Sequence, residues 1–340
     1  MKTIMIEFPS DQRIIDCLNT AYGIEVTTLT SLITGADRQA SLYKAQAPDQ
    51  LSYFVKLKQG HNHDRGAIIM ELLRDAGIQQ ILPLIQTIQA HQTQRIDDFT
   101  LTVYPFIDGQ DAFSRDLTDE QWINLGKVMK QIHTLEMPTS VQMRIRLESY
   151  SPKWRDAVRA LITYIDSEPS ADEIGLQFIR FMKTHKTAIH RLVNRAEQLA
   201  LQVQGYSPEF VLCHSDVHGG NVLMDAMETF YIVDWDDPIM APKERDLMFI
   251  GGGVANVWNK PHQTTLFYKG YGKTEVNRGI LTYYRHERIV EDLALYGQEL
   301  LFTGGQDRAI SYKQVVAQFE ARGAVEIAFK TDDALLHSKL

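Results

Sequence analysis

The stretch Leu212-Cys213-His214-Ser215-Asp216-Val217-His218-Gly219-Gly220-Asn221-Val222-Leu223 leaves an apolar strand, crosses a polar loop containing glycine and enters a second apolar strand. A loop of that composition holds Asp216 and Asn221 on a turn from which both side chains can address one cleft. Thirteen residues beyond Asn221 comes Asp234, delivered by another apolar run, Tyr231-Ile232-Val233. These residues supply one carboxylate able to accept a proton, plus an amide oxygen and a second carboxylate suited to a hard cation. Transfer of a phosphoryl group from a nucleotide needs such a set, together with a lysine to hold the phosphates. Phe54-Val55-Lys56 offers that lysine inside an apolar run, where an ammonium otherwise has little reason to sit. Lys58 faces the same side by the strand's period of two and is the alternative.

Around this centre the chain changes character once. Ser10 can cap a short helix carrying Ile14, Ile15 and Leu18 and closed by Gly23. Strands are then expected over Ile24–Ile33, Ser41–Ala47 and Tyr53–Lys58, a helix over 64–76, and a further strand over Phe99–Ile107. Tyr104-Pro105-Phe106-Ile107-Asp108-Gly109 joins a strand end to a proline and a glycine, and reads as a hinge. Beyond it the period becomes helical. Thr118 and Gln121 form a capping box ahead of an apolar stripe of Trp122, Leu125, Met129 and Ile132. Another helix is expected after Pro152 and a single long one from about Asp172 to Val203. Strands return at Val211–His214, Asn221–Met224 and Tyr231–Trp235 before helices resume.

Composition narrows the partners. The 340 residues are 44% hydrophobic, an ordinary fraction for a folded chain with a sizeable core, which excludes disorder, collagen and coiled coil. Thirty-five basic against 43 acidic side chains leave a formal net charge of −8, a poor match for nucleic acid or an anionic membrane. Two distant cysteines, Cys17 and Cys213, build neither a disulfide framework nor a zinc cluster, so a reducing compartment is expected. Glu7 precedes any apolar stretch, which argues against a leader, and the uncharged run from Gly77 to Gln94 is too polar to span a bilayer. A cytoplasmic monomer that takes a nucleotide and a cationic small molecule is the expectation.

The pattern His-x-Asp-x-x-x-x-Asn at His214, Asp216 and Asn221, followed by Ile232-Val233-Asp234, resembles the catalytic and metal-binding loops of the aminoglycoside phosphotransferase and choline kinase superfamily. Longer runs are similar to its aminoglycoside 9-phosphotransferase branch, which phosphorylates a hydroxyl on the aminocyclitol ring of spectinomycin. Among them are Tyr150-Ser151-Pro152-Lys153-Trp154-Arg155, Ala241-Pro242-Lys243-Glu244-Arg245-Asp246-Leu247 and Tyr283-Tyr284-Arg285-His286-Glu287-Arg288. The resemblance implies an α+β, protein-kinase-like bilobal fold. Residues 1–107 would form a β-rich nucleotide-binding lobe, with the hinge at about 104–109, and 108–340 a mainly helical lobe carrying the catalytic loop and substrate site.

It also implies roles. ATP would be the co-substrate and Mg2+ the cofactor, with Asp216 the catalytic base and Asn221 and Asp234 the magnesium ligands. Lys56 would contact the α- and β-phosphates, and the backbone of Tyr104, Phe106 and Ile107 would face adenine. Gly35 would lie in the nucleotide-covering turn. Asp64 would be the partner acid of Lys56, with Glu71 the alternative, and Asp246 would steady the catalytic loop. The chain departs from the wider pattern at Ser215, often glycine, and at Trp235-Asp236, where protein kinases carry Phe-Gly.

The implied function is ATP-dependent O-phosphorylation of spectinomycin, conferring resistance. Phosphorylation of a choline-like metabolite or another aminoglycoside is the alternative, as is a kinase-like binding protein without turnover. Asp236, Asp237, Glu244, Glu291 and Asp292 are the candidates for binding a cationic acceptor, and Trp258 is either a platform for it or packing. His214 reads as a buried residue bonding the loop backbone. His218 with Asp216, Asp234 and Asp236 could suggest a metallohydrolase, but the spacing reproduces no compact ligand motif.

Overall fold

The structure is a computed structural model describing residues 8–32, 40–60, 64–303 and 308–337. Gly35 and its turn lie outside the described residues, as does the side chain of Asp64. The chain makes two compact units, and neither is continuous in sequence. One gathers the chain up to Asp116, Thr134–Arg146 and His214–Ile239; the other holds Leu117–His133, Leu147–Cys213 and the chain from Met240 onward.

In the first unit β1 (Thr28–Leu32), β2 (Ala40–Gln46), β3 (Ser52–Gln59), β4 (Thr93–Ile96) and β5 (Phe99–Pro105) form an antiparallel sheet in the order β1-β2-β3-β5-β4. Val55 lies opposite Val103 and Leu57 opposite Leu101, all fully buried against Ile14 and Leu18. Period two sends Lys56, between Val55 and Leu57, to the other face. α1 (Asp11–Cys17) supplies Ile14, and Gly23 ends the following turn in the left-handed region, as its lack of a side chain permits.

α2 (Asp64–Asp75) follows β3. A second small sheet pairs Gly109–Asp111 with Val222–Asp225, and that strand with Phe230–Ile232. Ile232 donates its N–H to the Gln80 carbonyl, which fastens this hairpin to the segment after α2.

In the second unit α3 (Asp119–His133) opens with the reciprocal capping box: Thr118 N–H meets Gln121 Oε1 at 2.9 Å, and Gln121 N–H meets Thr118 Oγ1 at 3.2 Å. Its partner helix, Pro261–Tyr271, lies against it backbone to backbone. A Cβ on Gly126 would stand 2.1 Å from the Phe267 carbonyl oxygen, and one on Gly270 would stand 1.7 Å from that of Ile123. Helices Lys153–Asp166, Glu173–Thr184, Lys186–Gln204 and Arg278–Gln298 enclose a core of Val158, Phe178, Ile189, Leu192, Val290 and Leu293.

The single helix expected from Asp172 to Val203 is two helices. The chain breaks at His185 (φ −96°, ψ 11°), whose ring packs between those of Phe181 and Phe319. No proline or glycine marks that break; a tertiary aromatic cluster makes it. Among the described residues no helix is long and apolar enough to cross a membrane.

Replacing Gly126 or Gly270 by alanine should each cost about 1–3 kcal/mol, because the new methyl meets rigid backbone rather than a movable side chain. Chemical denaturation midpoints measure it; an unchanged midpoint would show that the helices separate without penalty.

Candidate active site

The hairpin register decides which residues meet. Val222 pairs with Ile232, so one step further along the open end Asn221 lies opposite Val233, whose N–H donates to the Asn221 carbonyl at 3.0 Å. Asp234 is the next residue. The hairpin register thus sets Asn221 and Asp234 side by side. The Asn221 amide nitrogen donates to the Asp216 carbonyl oxygen at 2.8 Å and lies 3.5 Å from Asp216 Oδ2. That leaves the amide oxygen as the atom to meet a cation.

The loop is fastened from inside by His214, which is 1% exposed. Its Nδ1 accepts the Asp216 N–H at 3.2 Å, so Nε2 carries the proton and donates to the Val233 carbonyl at 2.9 Å. The indole of Trp235 meets the imidazole edge-on, with 4.6 Å between ring centroids, and donates its Nε1–H to the Ile232 carbonyl. A buried histidine therefore ties the residue before Asp234 to Asp216, while the two carboxylates themselves remain accessible.

Two non-glycine residues here adopt left-handed backbone, Ser215 at φ +74° and Asp234 at φ +65°. Such conformations cost about 1–2 kcal/mol for an L-residue and gather at working sites. The positive φ at Ser215 explains why glycine suits that position. Serine gains in return a hydrogen bond from Oγ to the Asp237 carbonyl at 3.0 Å.

Lys56 donates to Asp234 Oδ1 at 2.7 Å and lies 2.8 Å from Asp236 Oδ2. Lys58 reaches the same Asp236 oxygen at 2.6 Å. Burial alone would lower the Lys56 ammonium, but Asp234 and Asp236 outweigh it and hold its pKa above the ordinary value. Burial would raise Asp236, and the two lysines instead hold it down to about 2. Asp236 thus acts on the lysines in this structure. Glu71, the alternative acid for Lys56, accepts from Gln92 Nε2 at 2.6 Å. Gly66 in α2 makes the arrangement possible, because a Cβ there would stand 2.1 Å from the Trp235 carbonyl oxygen.

At the end of β5 the Tyr104 hydroxyl donates to the Met70 sulfur at 3.9 Å, and burial raises its pKa. Phe106 turns its N–H to the Ser52 carbonyl, and Lys44 stands 4.1 Å from the centre of its ring. Of the candidate acceptor-binding residues, Asp237 lies beside this loop and is exposed. Asp236, in the same unit, is held by the two lysines, and Glu244, Glu291, Asp292 and Trp258 lie in the second unit. Glu244 is buried and accepts the Asn277 N–H at 2.9 Å; Asp292 is buried with Arg288 and Gln318; Glu291 is partly exposed at 4.0 Å from Arg245. Trp258 is 3% exposed and packs edge-on to Trp122, which is the packing alternative. Asp246 is buried, its Oδ2 3.1 Å from His133 Nε2.

The sequence reading missed the close approach at Gly66, the bond from Ser215 Oγ, and Phe113, which stacks on His218 with 5.1 Å between ring centroids. Only Ser215 carried a signal, as an unusual residue at a turn.

A lysine clamped on an aspartate just past a strand end, beside a loop aspartate and an asparagine, defines a kinase-like phosphotransferase. Residues 33–272 match the phosphotransferase enzyme family, APH, and the chain belongs to that family and is an ATP-dependent phosphotransferase. No curated protein matches it. Among solved structures it is similar to spectinomycin phosphotransferase, APH(9)-Ia, in complex with ADP and spectinomycin. Identity is 45%, covering 96% of this chain and 99% of that one, with a TM-score of 0.90. The AMP-bound complex of that enzyme is also 45% identical, covering 94% and 98%, with a TM-score of 0.84. An aminoglycoside phosphotransferase from Alicyclobacillus acidocaldarius, 16% identical over 98% of each chain with a TM-score of 0.61, shares the fold.

Gly66→Ala should reduce turnover and lower stability by about 1–3 kcal/mol, since the methyl would push α2 off the Trp235 backbone. Ser215→Ala should cost about 1 kcal/mol for the lost hydrogen bond. Ser215→Gly should come out closer to wild type, because it relieves the positive φ. Thermal unfolding of the three variants checks the order, and equal losses at Ser215→Ala and Ser215→Gly would remove backbone strain from the account.

Proposed function

We propose that the protein transfers the γ-phosphoryl group of ATP to a hydroxyl of spectinomycin. The reading rests above all on the convergence of Lys56, Asp216, Asn221 and Asp234 within one compact unit, through a strand register and an ion pair. The similarity to an enzyme solved with ADP and spectinomycin supports the acceptor.

Each residue has a part in this reading. Asp216 orients the acceptor hydroxyl and takes its proton as the bond to phosphorus forms. Lys56 holds the α- and β-phosphates through its ammonium, which Asp234 and Asp236 keep charged. Asn221 and Asp234 would hold magnesium, since an amide oxygen and an exposed carboxylate are hard oxygen donors, and the ion would supply positive charge against the phosphates. Phe106 directs its N–H to Ser52, so the trans peptide turns the Pro105 carbonyl the other way, and the backbone from Tyr104 to Ile107 faces adenine in this reading. Asp237 is the exposed carboxylate beside the loop and attracts the protonated amines of the acceptor. Catalysis is mostly positioning and charge neutralisation.

Asp216→Asn should lower turnover by about 10²–10⁴-fold with little change in nucleotide affinity, as loss of a general base does. Incubation with MgATP and spectinomycin, streptomycin, kanamycin or choline, followed by mass spectrometry, should give singly phosphorylated spectinomycin. Phosphorylated choline with unmodified spectinomycin would defeat the acceptor reading and leave the phosphotransferase standing.

A further inference from the structure

Two residues after Asp216, His218 is held on three sides. Its ring lies nearly parallel to that of Phe113, at 13° and 5.1 Å between centroids. Its Nδ1 accepts the Gly220 N–H at 3.1 Å. Its Nε2 stands 3.5 Å from Asp216 Oδ2. The bond to Gly220 settles the tautomer: a nitrogen that accepts from a backbone N–H carries no proton, so in the neutral ring Nε2 bears it and presents it to the carboxylate.

The two glycines of the loop serve the same arrangement. A Cβ on Gly219 would stand 2.8 Å from the Phe113 ring, and one on Gly220 would stand 2.7 Å from it. Any larger residue would drive Phe113 off the imidazole. Phe113 is itself anchored, because the adjacent Ala112 N–H bonds the Gly219 and Val222 carbonyls at 2.9 and 3.0 Å.

We propose that His218 is a positioning residue for phosphoryl transfer: its Nε2–H, with the Asn221 amide, holds Asp216 Oδ2 and so fixes the rotation of the carboxylate that accepts the acceptor proton. The proton taken from the hydroxyl goes to Asp216, and His218 keeps its own throughout. The 3.5 Å separation shortens when substrates close around the base, as catalytic hydrogen bonds do. The proposal rests on the role given to Asp216 above and is independent of which acceptor is used.

Two variants separate positioning from support. His218→Phe keeps an aromatic ring on Phe113 and loses the donor; His218→Gln gives up the stack and keeps an N–H. A positioning role predicts kcat lowered about 10- to 100-fold in His218→Phe with KM for ATP and acceptor within about twofold. His218→Gln should then recover most of the rate despite a lower melting temperature. A purely structural role predicts the reverse order, with His218→Phe near wild type, and that result overturns the proposal.

Transfer is followed to spectinomycin and, in parallel, as ADP release in its absence. A wild type that releases ADP but leaves spectinomycin unmodified strikes the acceptor reading alone, and the variants are then ranked by ADP release. Nitrogen-15 NMR of the ring should show Nδ1 bare and Nε2 protonated; a protonated Nδ1 also overturns the proposal.

Discussion

The buried ammonium of Lys56, held between the carboxylates of Asp234 and Asp236, is the interaction on which the site depends. Desolvating that charge is costly, and a partner missing on either side would leave an uncompensated ion inside the unit. Both partners come from one short segment behind the hairpin. The ion pair therefore does more than charge the lysine: it fixes the segment carrying Asp234 to β3 of the sheet. Lys58 on the shared Asp236 oxygen and the close approach at Gly66 hold the same joint from two other directions. A stray Asp234 would lose its strand-register neighbour Asn221, and with it the pair of oxygens suited to a cation.

Rigidity at this point has a local cost. Ser215, next to Asp216, and Asp234 itself adopt backbone conformations that side chains disfavour, and both are over-determined by bonds around them. His214 is central to this, since one imidazole spans the loop and the strand. The network is polar and buried, but each named member has a partner, which is the condition under which such a network stiffens a site.

Much of this was readable in advance, for physical reasons. Asp216, Asn221 and Asp234 lie within one loop and hairpin, where pairing is local and spacing predicts who faces whom. Lys56 stood out because a charge in an apolar run demands an explanation. The capping box of Thr118 and Gln121 is likewise written in four residues. The role of Asp236 was not readable, since it depends on a pairing with Lys58 across 178 residues. Its charge suggested an acceptor-binding acid, whereas in the structure it is occupied by two lysines. The break at His185 escaped for a similar reason: three aromatic rings make it, and one of them arrives from far along the chain. Nothing local to Gly126 or Gly270 signals their role either, since the backbone each one meets belongs to a helix far along the chain.

The interleaving of the two units bears on how the chain is made. The unit that houses Lys56 also needs His214–Ile239, so it cannot be completed from its N-terminal sheet alone. A ribosome must release the chain through Asp236 before the lysine meets its aspartates. During that interval β3 carries two unanswered charges, Lys56 and Lys58, in a nascent sheet with a long loop still to close. The latest of the three segments to emerge is the one bearing Asp216, Asn221 and Asp234, so assembly of the reactive centre and closure of the unit are one event.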